Sequence, residues 1–175
     1  MKLNTFDISF SGLKIGKHEF QFKLEDSFFE NFGFEEFNSV NLDVTAVLDK
    51  RSTIMDLKLE TEGTVNVNCD VTNEPFDLEL ETVMDIVIKF GEEFNDENDE
   101  MLVLPHGEHQ FNIAQFIYEM IVLSLPAKKV HPGIEDGTLD SVILDKLNEL
   151  SVSKPESTRN TETDPRWDVL KKLKD

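Results

Sequence analysis

Cysteine is nearly missing from this chain of 175 residues: Cys69 stands alone. No intrachain disulfide can form and no Cys-rich zinc fold is available, which favours a reducing compartment. Long hydrophobic runs are missing too. The longest largely apolar segment, residues 111–127, is interrupted by Asn112, Gln115 and Glu119 and is too short to span a bilayer. The N-terminus alternates Phe6, Asp7, Ile8, Ser9 and Phe10 and lacks the basic start and apolar stretch of a signal peptide. These features predict a cytoplasmic protein with no membrane partner. Basic residues are scarce, 17 against 36 acids, for a net charge of −19. Residues 151–175 hold six basic and five acidic groups, net +1, so the first 150 residues carry −20. Such a field repels phosphate backbones, which excludes DNA and points to a basic protein as partner. Gly-rich phosphate loops and serine-nucleophile elbows do not occur.

What the chain does have is material for a core. Hydrophobic residues make up 39%, and 14 of the aromatics are Phe, nine of them before residue 38. Period-two alternation dominates the first hundred residues. Phe6, Ile8 and Phe10 predict one strand, and His18, Phe20, Phe22 and Leu24 another, a two-strand start. The five Phe between Phe28 and Phe37 fit one or two helical turns in an acidic connection. Val40 to Leu48, a turn at Asp49–Ser52, and then Met55, Leu57 and Leu59 predict a hairpin, with Val65, Val67 and Cys69 continuing the parity. Phe76 to Phe90 is the clearest strand, long enough to suggest a bulge or bend near Thr82.

Past residue 100 the period changes. Met101–Leu104 reads as a short strand ended by Pro105. Asn112 offers an N-cap to a helix carrying Ile113, Phe116, Ile117, Met120 and Ile121, which Pro126 ends. Leu139, Val142, Ile143, Leu147 and Leu150 form a second amphipathic stripe. Residues 151–163 read as a flexible linker, and Asp164 with Pro165 opens a short tail helix bearing Trp167, Leu170 and Leu173. The expected fold is α+β: a mainly antiparallel sheet, open or barrel-like, then two C-terminal amphipathic helices and the tail helix, with residues 1–150 as one domain.

Candidate chemistry is sparse. Six carboxylates crowd residues 92–100 without the spacing of a calcium loop and read as a solvated acidic loop. His106 and His109, with His131 and Cys69, offer three nitrogens and a thiolate, the set a small hydrolase or metal-binding domain would use. Against that, Cys69 shares the inward parity of Val65 and Val67, as a buried structural thiol does. No catalytic residue is assigned. The tail is the best interaction candidate: Trp167, Leu170 and Leu173 beside Arg166 and Lys171 can dock into a partner's groove or pack on their own domain.

Three stretches carry a resemblance: "VNVNCDVTNEPFDLEL", "FNIAQFIYEMIVLSLPAKKVHPG" and "DPRWDVLKKL". In order and spacing they resemble the YceD family of large ribosomal RNA subunit accumulation proteins, from about Val65 to the end. Many relatives have Cys-x-x-Cys where this chain has Cys69 and Thr72, and no later cysteine exists here. The matching positions are Cys69, Pro75, Phe76, Glu119, Leu125, Pro126 and His131, with Asp164, Pro165, Leu170 and Lys171 in the tail. The resemblance implies a bacterial, non-enzymatic factor needed for accumulation or processing of large-subunit (23S) ribosomal RNA; with Thr72 in place of the second cysteine, no metal or cofactor is expected. Joined to the charge, it implies an acidic adaptor for a basic ribosomal protein or assembly factor. RNA contact would then be indirect, or confined to the tail or to Lys128 and Lys129.

Overall fold

The computed structural model describes residues 3–98 and 101–150. The expectations for the linker, for Asp164 and Pro165, and for the tail positions Arg166, Trp167, Leu170, Lys171 and Leu173 lie outside them. The chain divides into two compact units, Met1–Thr138 and Leu139–Asp175.

In the first unit a six-stranded sheet is built from β2 (Gly16–Leu24), β3 (Ser39–Lys50), β4 (Ile54–Asn68), β5 (Pro75–Gly91), β6 (Asn95–Asn98) and β7 (Met101–Pro105), in the order β2-β3-β4-β5-β7-β6. It is open, not a closed barrel. Pairing is antiparallel except between β5 and β7, which run parallel. The alternation in the sequence fixes which face is inward: Val40, Leu42, Val44, Ala46 and Leu48 of β3 are buried, as are Met55, Leu57 and Leu59 of β4 and Ile86 and Ile88 of β5. Their odd or even neighbours face outward. β4 and β5 pair without a register shift from Ile54↔Lys89 to Asn68↔Pro75, so the bulge expected near Thr82 does not occur. The backbone irregularity sits on β4 instead, at Gly63, with φ 141°.

β1 (Asp7–Ser9) does not join β2 as a two-strand start. It pairs with β8 (Gln110–Asn112) in a separate small sheet, Ile8 opposite Phe111, after a 3-10 turn over Leu3–Phe6. Phe6, Ile8 and Phe10 are buried there as their parity requires. The Lys50 ammonium ties the following loop to the end of β3 by donating to the Phe10 and Leu13 carbonyls, 2.8 and 2.9 Å away.

The Phe-rich connection forms α1 (Asp26–Glu30) and a coil that packs ring on ring. Phe28 lies against Phe6 and Phe29, and Phe32 stacks on Tyr118 at 4.4 Å and 10°. Tyr118 belongs to α2 (Ala114–Ser124), whose Phe116, Ile117, Met120 and Ile121 close the core over β5. The Asn112 Oδ1 accepts from the Ala114 N–H, 2.9 Å, at the helix entrance. Leu125, extended ahead of Pro126, ends the helix. A short α3 (Pro132–Glu135) follows. In the second unit α4 (Val142–Leu150) carries the expected apolar stripe, with Val142, Ile143, Leu147 and Leu150 exposed.

Candidate functional site

Cys69 continues the inward face of β4 and is buried. The chain reverses immediately after it. The Cys69 N–H donates to the Glu74 carbonyl at 2.9 Å, and the Asn73 N–H donates back to the Cys69 carbonyl at 2.8 Å. Asn73 takes the left-handed conformation this requires, φ 60°. Thr72, where relatives have the second cysteine, is buried, and its hydroxyl hydrogen-bonds the Cys69 sulfur while accepting from the Glu74 N–H.

A strap from past α2 closes over this turn. The Asp70 N–H donates to the Lys129 carbonyl, 2.8 Å, and the Lys129 N–H donates to the Asp70 carboxylate, 2.6 Å. The His131 N–H then donates to the Cys69 sulfur, 3.3 Å, and the His131 ring lies 5.4 Å from that of Phe76. Its Nδ1 accepts from the Gly133 N–H, 2.9 Å, capping α3. Cys69, Phe76 and His131 therefore meet, and Leu125 and Pro126 lead the chain toward them. Burial pushes the Cys69 thiol up, but the N–H groups of His131, Thr72 and Val71 and the Thr72 hydroxyl outweigh it and hold the thiol below its ordinary value. A buried sulfur that accepts several hydrogen bonds and joins two segments 62 residues apart acts as a structural pin.

The zinc set does not assemble among the described residues. Among the described residues no three His, Cys, Asp or Glu side chains gather as a metal requires. His106 is held to the end of β5, its ring stacked on Phe90 and its N–H donating to the Gly91 carbonyl, while the His109 carbonyl accepts from the Phe10 and Ser11 N–H groups after β1. The set His106, His109, His131 and Cys69 was suggested by scarcity of residue type, which carries no information on where loops meet. Lys129 is likewise no free cation, since its ammonium lies 2.9 Å from the Glu36 carboxylate.

Glu119 lies elsewhere, on a cleft of about 320 Å³ between α2 and the β7 and β8 strands. Buried Leu102, Leu104, Phe111 and Phe116 form its floor. Glu108, Gln110, Asn112, Gln115 and half-exposed Phe94 line the rest, and none of them was found as a site residue by sequence reasoning. The available signal was the spacing of Gln115 and Glu119, one helical turn apart beside Phe116, where Gln115 donates to the Glu119 carboxylate.

The outward face of the main sheet is acidic. Asp43, Glu62 and Glu81 stand directly opposite one another on β3, β4 and β5, flanked by Glu79, with Lys23 of β2 at the end of the row. Like charges placed opposite in a sheet are destabilising. Nearer the hairpin turn, Asp49 and Asp56 are opposed in the same way, but there Arg51 bridges them at 3.6 and 2.7 Å. Among the described residues no helix is long and apolar enough to cross a membrane.

Nothing among curated proteins and nothing among solved structures matches this chain. A family does: most of β4, the turn at Cys69, α2, the strap and nearly all of the tail fall within residues 57–174, which match the family described as Large ribosomal RNA subunit accumulation protein YceD, and the chain belongs to that family.

Proposed function

We propose that this protein is a cytoplasmic, non-enzymatic factor supporting accumulation of large-subunit ribosomal RNA, and that it works as an acidic adaptor for a basic ribosomal protein or assembly factor. The family match over residues 57–174 carries the process. The chemistry of the partner follows from the charge: −19 overall, and a row of Asp43, Glu62 and Glu81 across the outward sheet face that no Lys or Arg bridges among the described residues. A surface that retains repulsion between its own carboxylates attracts a polycation and repels RNA, so RNA contact is indirect. The tail residues Arg166, Trp167, Leu170, Lys171 and Leu173 are the proposed partner contact, with an aromatic anchor among basic side chains, the composition of an interaction hot spot.

Affinity capture of the full chain from growing cells, with protein and RNA both identified, tests this reading. A basic large-subunit protein or assembly factor should be retained after nuclease treatment and released by salt. Tight, sequence-selective binding of naked ribosomal RNA that persists at high salt would overturn it.

A further inference from the structure

The cleft beside α2 has a floor of four buried apolar side chains and carboxylates on its rim. Its volume of about 320 Å³ lies at the small end of the roughly 300–1,000 Å³ typical of ligand sites. That suits one large inserted side chain better than an extended cofactor. Phe94, 56% exposed at the mouth, can gain burial only if something occupies the space beside it. Neither Glu108 nor Glu119 forms an ion pair among the described residues, and the chain as a whole is strongly acidic. An apolar floor under an anionic rim selects an apolar side chain with cations on either side.

We propose that this cleft is a docking site for a segment of a basic protein, which inserts one aromatic side chain over Leu102, Leu104, Phe111 and Phe116 and lays flanking Lys or Arg against Glu108 and Glu119. The inserted ring packs edge or face against Phe94 and Phe116. This rests on the adaptor reading above and gives its partner a second point of attachment, distinct from the tail. Affinity comes from the aromatic burial, whereas the rim sets which segments enter and how fast.

The full chain, labelled with ¹⁵N, is titrated with the blocked peptide Lys-Lys-Trp-Lys-Lys and with analogues in which Trp becomes Ala or all Lys become Glu. Amide shifts should saturate and centre on Leu102, Leu104, Phe111, Gln115 and Glu119. Either analogue should bind at least tenfold more weakly. The double variant Glu108→Lys/Glu119→Lys should lose about tenfold, and Gln115→Trp, which fills the cleft, should abolish binding. Glu62→Lys on the outer sheet face should change it less than twofold. Absence of saturable shifts, shifts spread over Asp43, Glu62 and Glu81, or equal binding of the peptide with neutral residues in place of Lys would each overturn the proposal. Capture from cells separates the two readings. A basic partner retained equally by wild type and the double variant sinks the cleft and leaves the adaptor; peptide seated in the cleft with no basic protein captured does the reverse.

Discussion

Thr61 stands on the core side of β4, buried, with no hydrogen-bond partner for its hydroxyl among the described residues. A hydroxyl taken from water without compensation costs about 1–3 kcal/mol, so Thr61→Val, which keeps the shape and removes the polar atom, should stabilise the fold by about 1 kcal/mol. A higher urea midpoint at unchanged slope would show it. Asp136 is the opposite case. The Thr138 hydroxyl donates to its carboxylate at 2.6 Å and the Thr138 N–H at 3.0 Å, and these bonds, with His131 nearby, hold the carboxyl below its ordinary value. A depressed carboxyl stabilises the fold at pH above its unfolded value, and that contribution fades as pH falls through the lowered one. Thr138→Ala should move the Asp136 titration, followed by carboxyl NMR, back up toward the ordinary range.

At the scale of elements, β3, β4 and β5 depend on one close approach. Gly63 has φ 141°, and a Cβ there would lie 2.3 Å from the Asn41 carbonyl oxygen on β3. The obstacle is backbone, so it cannot swing aside. Gly63→Ala should cost on the order of 3 kcal/mol, from the forced conformation plus parted strands, and thermal melting measures it. The long strands themselves were legible because each alternates for five or more residues and one face is predominantly apolar, which pins the register. β6 was not, since residues Asn95–Asn98 hold no apolar alternation and become a strand through backbone pairing with β7. The partner of β1 was not legible because three residues cannot specify a strand more than a hundred positions away. For the site, the family resemblance picked out Cys69, Phe76 and His131, but that His131 reaches Cys69 through its backbone N–H while its ring caps α3 follows only from packing. Glu108 and Phe94 carry no pattern at all, and converge on Glu119 because β7, β8 and α2 do.

For the whole molecule, the question is whether the tail belongs to the fold or to the partner. We propose that residues 151–163, which contain no aliphatic side chain except Val152, tether the tail rather than pack it on the domain. Trp167→Ala should therefore leave the melting temperature nearly unchanged while weakening capture of the partner by about 2 kcal/mol, roughly thirtyfold. A Trp packed on its own core would instead lose about 3–5 kcal/mol of stability, so melting and capture on one variant decide the matter.

The pairing of β1 with β8 also sets an order in time. Asp7 lies opposite Asn112, and the Asn112 amide donates to both the Leu3 carbonyl and the Asp7 carboxylate. On a chain growing at about 5–20 residues per second, β1 waits roughly 5–20 s for its partner to be made. Through that interval Phe6, Ile8 and Phe10 lack the β8 side of their packing, so a segment made about a hundred residues before its partner is among the last to settle, its apolar side chains open to other contacts until then.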